Sequence, residues 1–148
     1  MIVRQMRLED KGPAYRITCA SLDEYYAPEV FSYFMMQWPK GQLVACDYTG
    51  KVVGYILGSL LEGRSMVPLF AVDEPMRGKG VGDQLLKEFK LRSIIDGRPL
   101  IQLEVRAKNL DSLNFYKKRG FVEVEYMPDF YVDHGDAIRL ICTAYVNS

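Results

Sequence analysis

A mixed α/β architecture, with a central sheet of about seven strands and helices on both faces, is the fold class predicted here, and three observations carry it. An apolar strand-like stretch, Val67 to Val72, runs into Met76-Arg77-Gly78-Lys79-Gly80-Val81-Gly82, and that glycine-rich segment opens an amphipathic helix. Before it, two strand-like runs flank Tyr48-Thr49-Gly50, which has the composition of a hairpin connection. After it, strand and helix patterns alternate to the end, so an antiparallel meander is followed by strand, helix, strand, helix, strand.

The elements follow in order. Ile2 to Leu8 alternates as a first strand, and Glu9-Asp10 before Lys11-Gly12-Pro13 starts a helix that runs to about Ser21. Pro28 opens a second helix, continuing through Phe34 to about Gln37 before Pro39 and Gly41 stop it. Gln42 to Asp47 pairs with Lys51 to Leu60, and Met66 to Val72 is a third antiparallel neighbour. The helix Val81 to Ile95 sets Val81, Leu85, Leu86 and Phe89 against Asp83, Lys87, Glu88 and Lys90, so its apolar side lies on the sheet. Strand Leu100 to Val105, helix Asp111 to Lys118, strand Phe121 to Tyr126 and strand Asp136 to Tyr145 complete the set. Pro68 deletes a ladder hydrogen bond within its strand, which leaves two readings open: a bulge or edge, or simply an irregular strand.

A chain of 148 residues with no repeat, low-complexity tract or linker is expected to form one domain over residues 1–148. Nineteen basic residues balance nineteen acidic ones, which argues against nucleic acid or an anionic membrane as partner. Cys19, Cys46 and Cys142 have no C-x-x-C spacing and the chain has one histidine, so no metal site is expected and the cysteines read as buried thiols of a reducing cytosol. No apolar h-region opens the sequence and no stretch approaches about 18 apolar residues, so a cytoplasmic protein is expected.

The glycine segment is the chemical signal. Glycines permit φ > 0 and close approach, and a helix beginning there aims unpaired N–H groups at an anion such as a diphosphate. A dinucleotide fingerprint fails because its third glycine falls on Asp83; a Walker A loop fails because Lys79 is followed by Gly80. The strand Ile101-Gln102-Leu103-Glu104-Val105-Arg106 is the second signal: alternation sets Gln102, Glu104 and Arg106 on the face opposite Ile101, Leu103 and Val105. Glu104 is then either a base lining a wet cleft or the partner of Arg106 or Lys108 in a surface ion pair. None of the cysteines has a neighbouring histidine to activate it, and His134 reads as a solvated loop residue.

Arg77-x-x-Gly80-x-Gly82 resembles the acetyl-CoA signature of the GNAT family of N-acetyltransferases. The likeness extends over nearly the whole chain. Leu103-Glu104-Val105-Arg106, Asn109, Asn114-Phe115-Tyr116 and Gly120-Phe121 are similar to the matching block of RimI-type and archaeal protein N-terminal acetyltransferases. Leu22-Asp23-Glu24-Tyr25-Tyr26 resembles a Leu-Pro-Glu-Asn-Tyr segment of the NatA catalytic subunit, with Asp23 in place of proline. Phe130-Tyr131-Val132-Asp133-His134-Gly135-Asp136-Ala137 resembles its Tyr-Tyr-x-Asp-Gly-Glu-Asp-Ala run, with Phe130 lacking one hydroxyl. Some relatives carry histidine where this chain has Glu104, so here it follows the RimI pattern.

The resemblance implies a GNAT fold and an acetyl-CoA-dependent N-acetyltransferase working by direct attack in a ternary complex. It implies that Glu104 is general base and Tyr116 general acid, while packing alone is the other reading of Tyr116. Coenzyme A contacts fall on the strand segment Leu69, Phe70, Ala71 and Val72, on the loop Arg77, Gly78, Lys79, Gly80, Val81 and Gly82, and on Asn109 and Tyr116. Leu22, Glu24, Tyr26 and Tyr131 are the expected substrate contacts. The expected acceptor is a protein or peptide N-terminus; a lysine side chain, polyamine or other small amine, or a non-catalytic acyl-CoA-binding module, are the alternatives. Contact with a ribosome or an auxiliary subunit is left open, because Lys117-Lys118-Arg119 also fits a solvated helix end. The expected state is a monomer or weak dimer.

Overall fold

The computed structural model describes residues 1–22 and 24–145. The chain opens with β1 (Ile2–Gln5), α1 (Lys11–Ser21) and α2 (Glu29–Gln37), then the hairpin β2 (Leu43–Cys46) and β3 (Val52–Ile56). Three short strands follow: β4 (Ser59–Leu61), β5 (Arg64–Met66) and β6 (Phe70–Val72). After α3 (Val81–Ile95) come β7 (Leu100–Arg106), α4 (Leu110–Lys117), β8 (Val122–Met127) and β9 (Ala137–Thr143).

The expected mixed α/β fold is present, with one division the periodicity did not show. The strands form two sheets, ordered β1-β2-β3-β6 and β4-β5-β7-β9-β8. Both expected strands over 51–60 and 66–72 break, at Leu57-Gly58 and at Val67-Pro68-Leu69. The first break follows from crowding: a Cβ on Gly58 would lie 2.5 Å from the Phe89 ring and 2.7 Å from the Trp38 ring. Gln42, fully buried, carries the polar load there, accepting from the Gly58 amide at 2.9 Å and donating to its carbonyl at 2.8 Å.

At the second break Pro68 has no N–H to offer either neighbour. Val67 donates to the Gln102 carbonyl at 2.9 Å, and two residues on, the Leu69 carbonyl accepts from Leu57 at 2.8 Å. So β5 runs parallel with β7, β6 runs antiparallel with β3, and the sheets part as a wedge beyond Pro68. The irregularity expected at Pro68 is a break, with β5 and β6 leaving it in different sheets.

The wedge is held by a core on each side. Val81, Leu85, Leu86 and Phe89 of α3 are buried as the helical pattern requires, against Leu43, Ala45, Val53 and Ile56. Burying each such side chain contributes about 1.5–3 kcal/mol. On the other face Ala14, Ile17 and Phe31 from α1 and α2 pack on Val44, Tyr55, Leu57, Leu69 and Ala71. Alternate residues of β2 thus feed opposite layers, whereas in β3 the register shift opposite Ala45 and Cys46 puts Val53 and Ile56 in the first layer and Val52 and Tyr55 in the second. Thr18 and Tyr55 hydrogen-bond at 2.5 Å inside the second layer. Arg4 holds the buried Asp10 at 2.7 Å, fixing the start of α1.

One expectation about the cysteines is corrected. Cys19 is exposed, because it lies on the outer face of α1, whereas Cys46 and Cys142 are buried. Burial pushes the Cys142 thiol up to about 11, which keeps it protonated.

Candidate active site

The wedge leaves main-chain groups unpaired along both of its edges. Leu57 donating to Leu69 and Asp73 donating to Val53 set the alternation of β6, so Ala71 pairs with Tyr55 while the amides of Phe70 and Val72 turn into the wedge. On the other edge, Ala107 donates to Asp136 and Ala144 to Pro99, which turns the main-chain groups of Gln102, Glu104 and Arg106 away from β9; the Gln102 carbonyl accepts from Val67 and that of Arg106 from Asn109, so Glu104 is the one that faces the open wedge.

On one side of the wedge lies a cleft of about 620 Å³. Its floor is Phe70, Ala71 and Val72; its rim is Arg77, Gly78, Gly80, Val81 and Gly82; and its far wall is Asn109, Phe115, Tyr116 and Arg119. Gly78 and Gly80 adopt left-handed φ values of 75° and 84°, the conformation that glycine tolerates. Gly80 directly precedes α3, and no side chain caps the helix, so its first amides face the cleft. Arg77 bonds the Val72 carbonyl at 3.0 Å. Asp83 also lines the cleft, and Arg119 holds both of its oxygens while stacking on Phe115 at 3.6 Å from the ring centroid. That pairing offsets the one negative charge in the first turn of α3.

On the other side is a groove of about 170 Å³, lined by Leu22, Glu24, Tyr26, Leu69, Glu104, Arg106 and Tyr131. Ser21, Leu22, Phe70, Asn109, Ser112 and Tyr116 line both cavities, and Phe70, Asn109 and Tyr116 are the part of that shared wall contributed by β6 and α4 with its cap. Glu104 is mostly buried and pairs neither with Arg106 nor with Lys108; its partners are Arg139 at 3.4 Å and Gln102 at 3.1 Å. Arg106 instead gathers the groove together. It bonds Glu24, bonds Asp133 at 3.2 Å and stacks on Tyr131 at 4.1 Å from the ring centroid. A Cβ on Gly135 would lie 2.4 Å from its guanidinium, so a larger residue there would displace the end of the Arg106 side chain.

The electrostatics follow this layout. Burial raises the Tyr116 phenol above its usual value, with Arg119 opposing weakly. Burial, then the nearby Glu24 carboxylate, pushes Tyr131 up to about 12. Tyr26 is raised by the same two causes. The Gly135 amide and then Arg106 hold the Asp133 carboxyl below its ordinary value. All three phenols are therefore protonated donors at neutral pH.

Residues 9–142 match the model of the acetyltransferase (GNAT) domain family. The chain belongs to the GNAT acetyltransferases. An uncharacterised N-acetyltransferase of Methanocaldococcus jannaschii is 32% identical, covering 95% of this chain and 90% of its own. An N-alpha-acetyltransferase of Sulfurisphaera tokodaii is 30% identical, covering 91% and 88%. The crystal structure of Ard1 from Thermoplasma volcanium superposes with a TM-score of 0.91 at 33% identity, covering 98% of each chain.

GNAT enzymes take the acetyl group from acetyl-CoA, and this chain is an acetyl-CoA-dependent N-acetyltransferase. The cleft fits that donor on its own evidence: two left-handed glycines with open space above them, an uncapped helix N-terminus, a neutralised Asp83 and a continuous path to Tyr116.

Most residues singled out from the sequence come together here. Leu22, Glu24, Tyr26 and Tyr131 meet Glu104 in the groove, although they lie far apart in the chain. Leu69 lines the groove rather than the cleft, and Lys79 points to solvent outside the cleft wall. Asn109 caps α4, its side chain accepting from the Ser112 amide at 3.1 Å. The expected Asp23 substitution lies outside the described residues. Sequence reasoning gave no site role to Asp83, Phe115, Arg119, Gln102 or Arg139, and read Arg106 only as an ion-pair partner of Glu104. Arg106 had a signal, since strand alternation places it on the face of Glu104; Arg139 had none, because its partner is set by the β7–β9 register.

Proposed function

We propose that this enzyme acetylates the N-terminal α-amino group of proteins or peptides, with residues 1–148 acting as one catalytic domain. The narrowness of the groove carries the reading. Two protonated tyrosines and the Arg106-bound Glu24 enclose about 170 Å³ ending at Glu104, which suits a chain end and does not suit an open, acidic polyamine cavity. Relatives named as N-alpha-acetyltransferases support the same acceptor.

Acetyl-CoA, when bound, supplies an activated thioester carbonyl and a thiolate leaving group. The amides of Gly80, Val81 and Gly82 would hold its diphosphate at the positive end of α3. Phe70 and Val72, whose amides face the wedge, supply donors for the developing oxyanion. Glu104 takes the proton released by the amine. An α-amine with pKa about 7.7–8.0 is partly neutral at pH 7, whereas a lysine near 10.4 is not, so one carboxylate suffices for the former. Tyr116, protonated and shared by both cavities, donates toward the leaving sulfur.

The test is an acetyl-transfer screen over peptides varied in their first two residues, with polyamines and an N-terminally blocked lysine peptide alongside. Turnover confined to free N-termini is expected. Turnover of the blocked peptide or of a polyamine at the same rate overturns the acceptor assignment, and donor binding with no turnover on any acceptor overturns catalysis.

A further inference from the structure

Glu104 does not meet its two partners evenly. Gln102 Nε2 and Arg139 Nε both approach Oε2, at 3.1 and 3.4 Å, and Oε1 has no hydrogen-bond partner among the described residues. No buried side-chain oxygen is left unsatisfied among those residues, so Oε1 is reached by solvent, and Glu104 lines the groove.

The orientation of Gln102 is itself decided elsewhere. Arg64 Nη1 donates to Gln102 Oε1 at 3.0 Å. A guanidinium has only donors, so the amide of Gln102 must turn its carbonyl to Arg64 and its NH₂ to the carboxylate. Were the amide reversed, two donors would face each other on one side and two acceptors on the other. The geometry is available because Arg64 sits on β5, parallel to β7, with Met66 beside Gln102 in the ladder. Gln102 and Glu104 are two residues apart on one strand and share its face.

We propose that Arg64 and Gln102 form a positioning relay that pins Oε2 of Glu104 and leaves Oε1 as the single proton-accepting oxygen. The relay rests on the reading of Glu104 as general base. Arg64 touches neither acceptor nor donor site: it is absent from the walls of both cavities. Its influence passes through the Gln102 amide. A merely structural pair predicts independent losses of stability, whereas a relay predicts losses of turnover that depend on each other and on Glu104.

The experiment measures kcat at saturating acetyl-CoA and acceptor peptide for Gln102→Met, Arg64→Met and the double variant, each also in a Glu104→Gln background. Gln102→Met is expected to lower kcat about 10-fold and Arg64→Met about 3-fold, with both KM values nearly unchanged. The double variant should be no slower than Gln102→Met alone, Arg64→Lys should recover part of the loss, and neither change should matter once Glu104 is glutamine. Strictly multiplicative losses, or an unchanged kcat in Gln102→Met while Glu104→Gln is crippled, overturn the relay and leave the base intact. Full activity in Glu104→Gln overturns the base and the relay together. Should Gln102→Met fail to fold, Arg64→Met and Arg64→Lys, at a half-exposed position, decide the question through their dependence on Glu104.

Discussion

The donor cleft and the acceptor groove share Phe70, Asn109 and Tyr116, yet they are built from different materials. The cleft is made largely of backbone: left-handed glycines, the first turn of α3 and the outward amides of β6. The far side of the groove is made of side chains from distant segments, Leu22, Glu24 and Tyr26, then β7, then Tyr131, and Arg106 joins Glu24, Asp133 and Tyr131. A backbone site needs local sequence and tolerates exchange of neighbouring side chains. A side-chain site needs every segment in register, so a single residue can loosen all of it.

Replacing one residue in each region tests this contrast. The largest effect is expected at the reacting centre, where Glu104→Gln should lower kcat about 100-fold while calorimetry shows acetyl-CoA affinity unchanged. Next comes the backbone site: Gly80→Asp puts a side chain at φ 84° and a negative charge beside the helix N-terminus, and should weaken acetyl-CoA binding roughly 30-fold with acceptor binding intact. Tyr116→Phe, at the shared wall, should lower kcat about 10-fold without moving either affinity; a shift in donor affinity instead would make Tyr116 part of the cleft alone.

Arg106→Met should raise the acceptor KM about 5-fold and leave the donor Kd alone. Its ion pairs are exposed to solvent, which screens them, so the melting temperature should barely move. A large stability loss with an unchanged KM would show that Arg106 supports the fold and not the groove. The smallest effect on either region is expected from Asp10→Asn, which lies outside both. Burial raises the Asp10 carboxyl, but the Arg4 bond and the Arg7 amide outweigh it and hold it below its usual value. Its stabilisation is therefore present above the unfolded pKa, near 3.9, and is lost as pH falls through the lower folded value. Asp10→Asn should cost about 2 kcal/mol at pH 7, and urea titrations should show that difference disappearing in acid, with kcat and both KM values unchanged.

Much of this was legible in residue order. Apolar spacing placed α3 and its buried face; glycine spacing marked the left-handed turn that opens α3; alternation along β7 placed Glu104 and Arg106 on one face. These are local properties, because helix period, strand period and left-handed backbone depend on a few neighbouring residues. Pro68 announced that its strand was irregular, but not that β5 and β6 would leave in different sheets.

What only the tertiary structure decided is pairing at long range. Glu104 meets Arg139 because β7 and β9 align in one register; Gln102 turns its amide toward Glu104 because β5 brings Arg64 alongside; Glu24 reaches Arg106 across 82 positions of chain. Sequence order names the residues able to make such bonds. Which bonds form is settled by strand register and by where the two sheets part, and both emerge only when the whole core is packed.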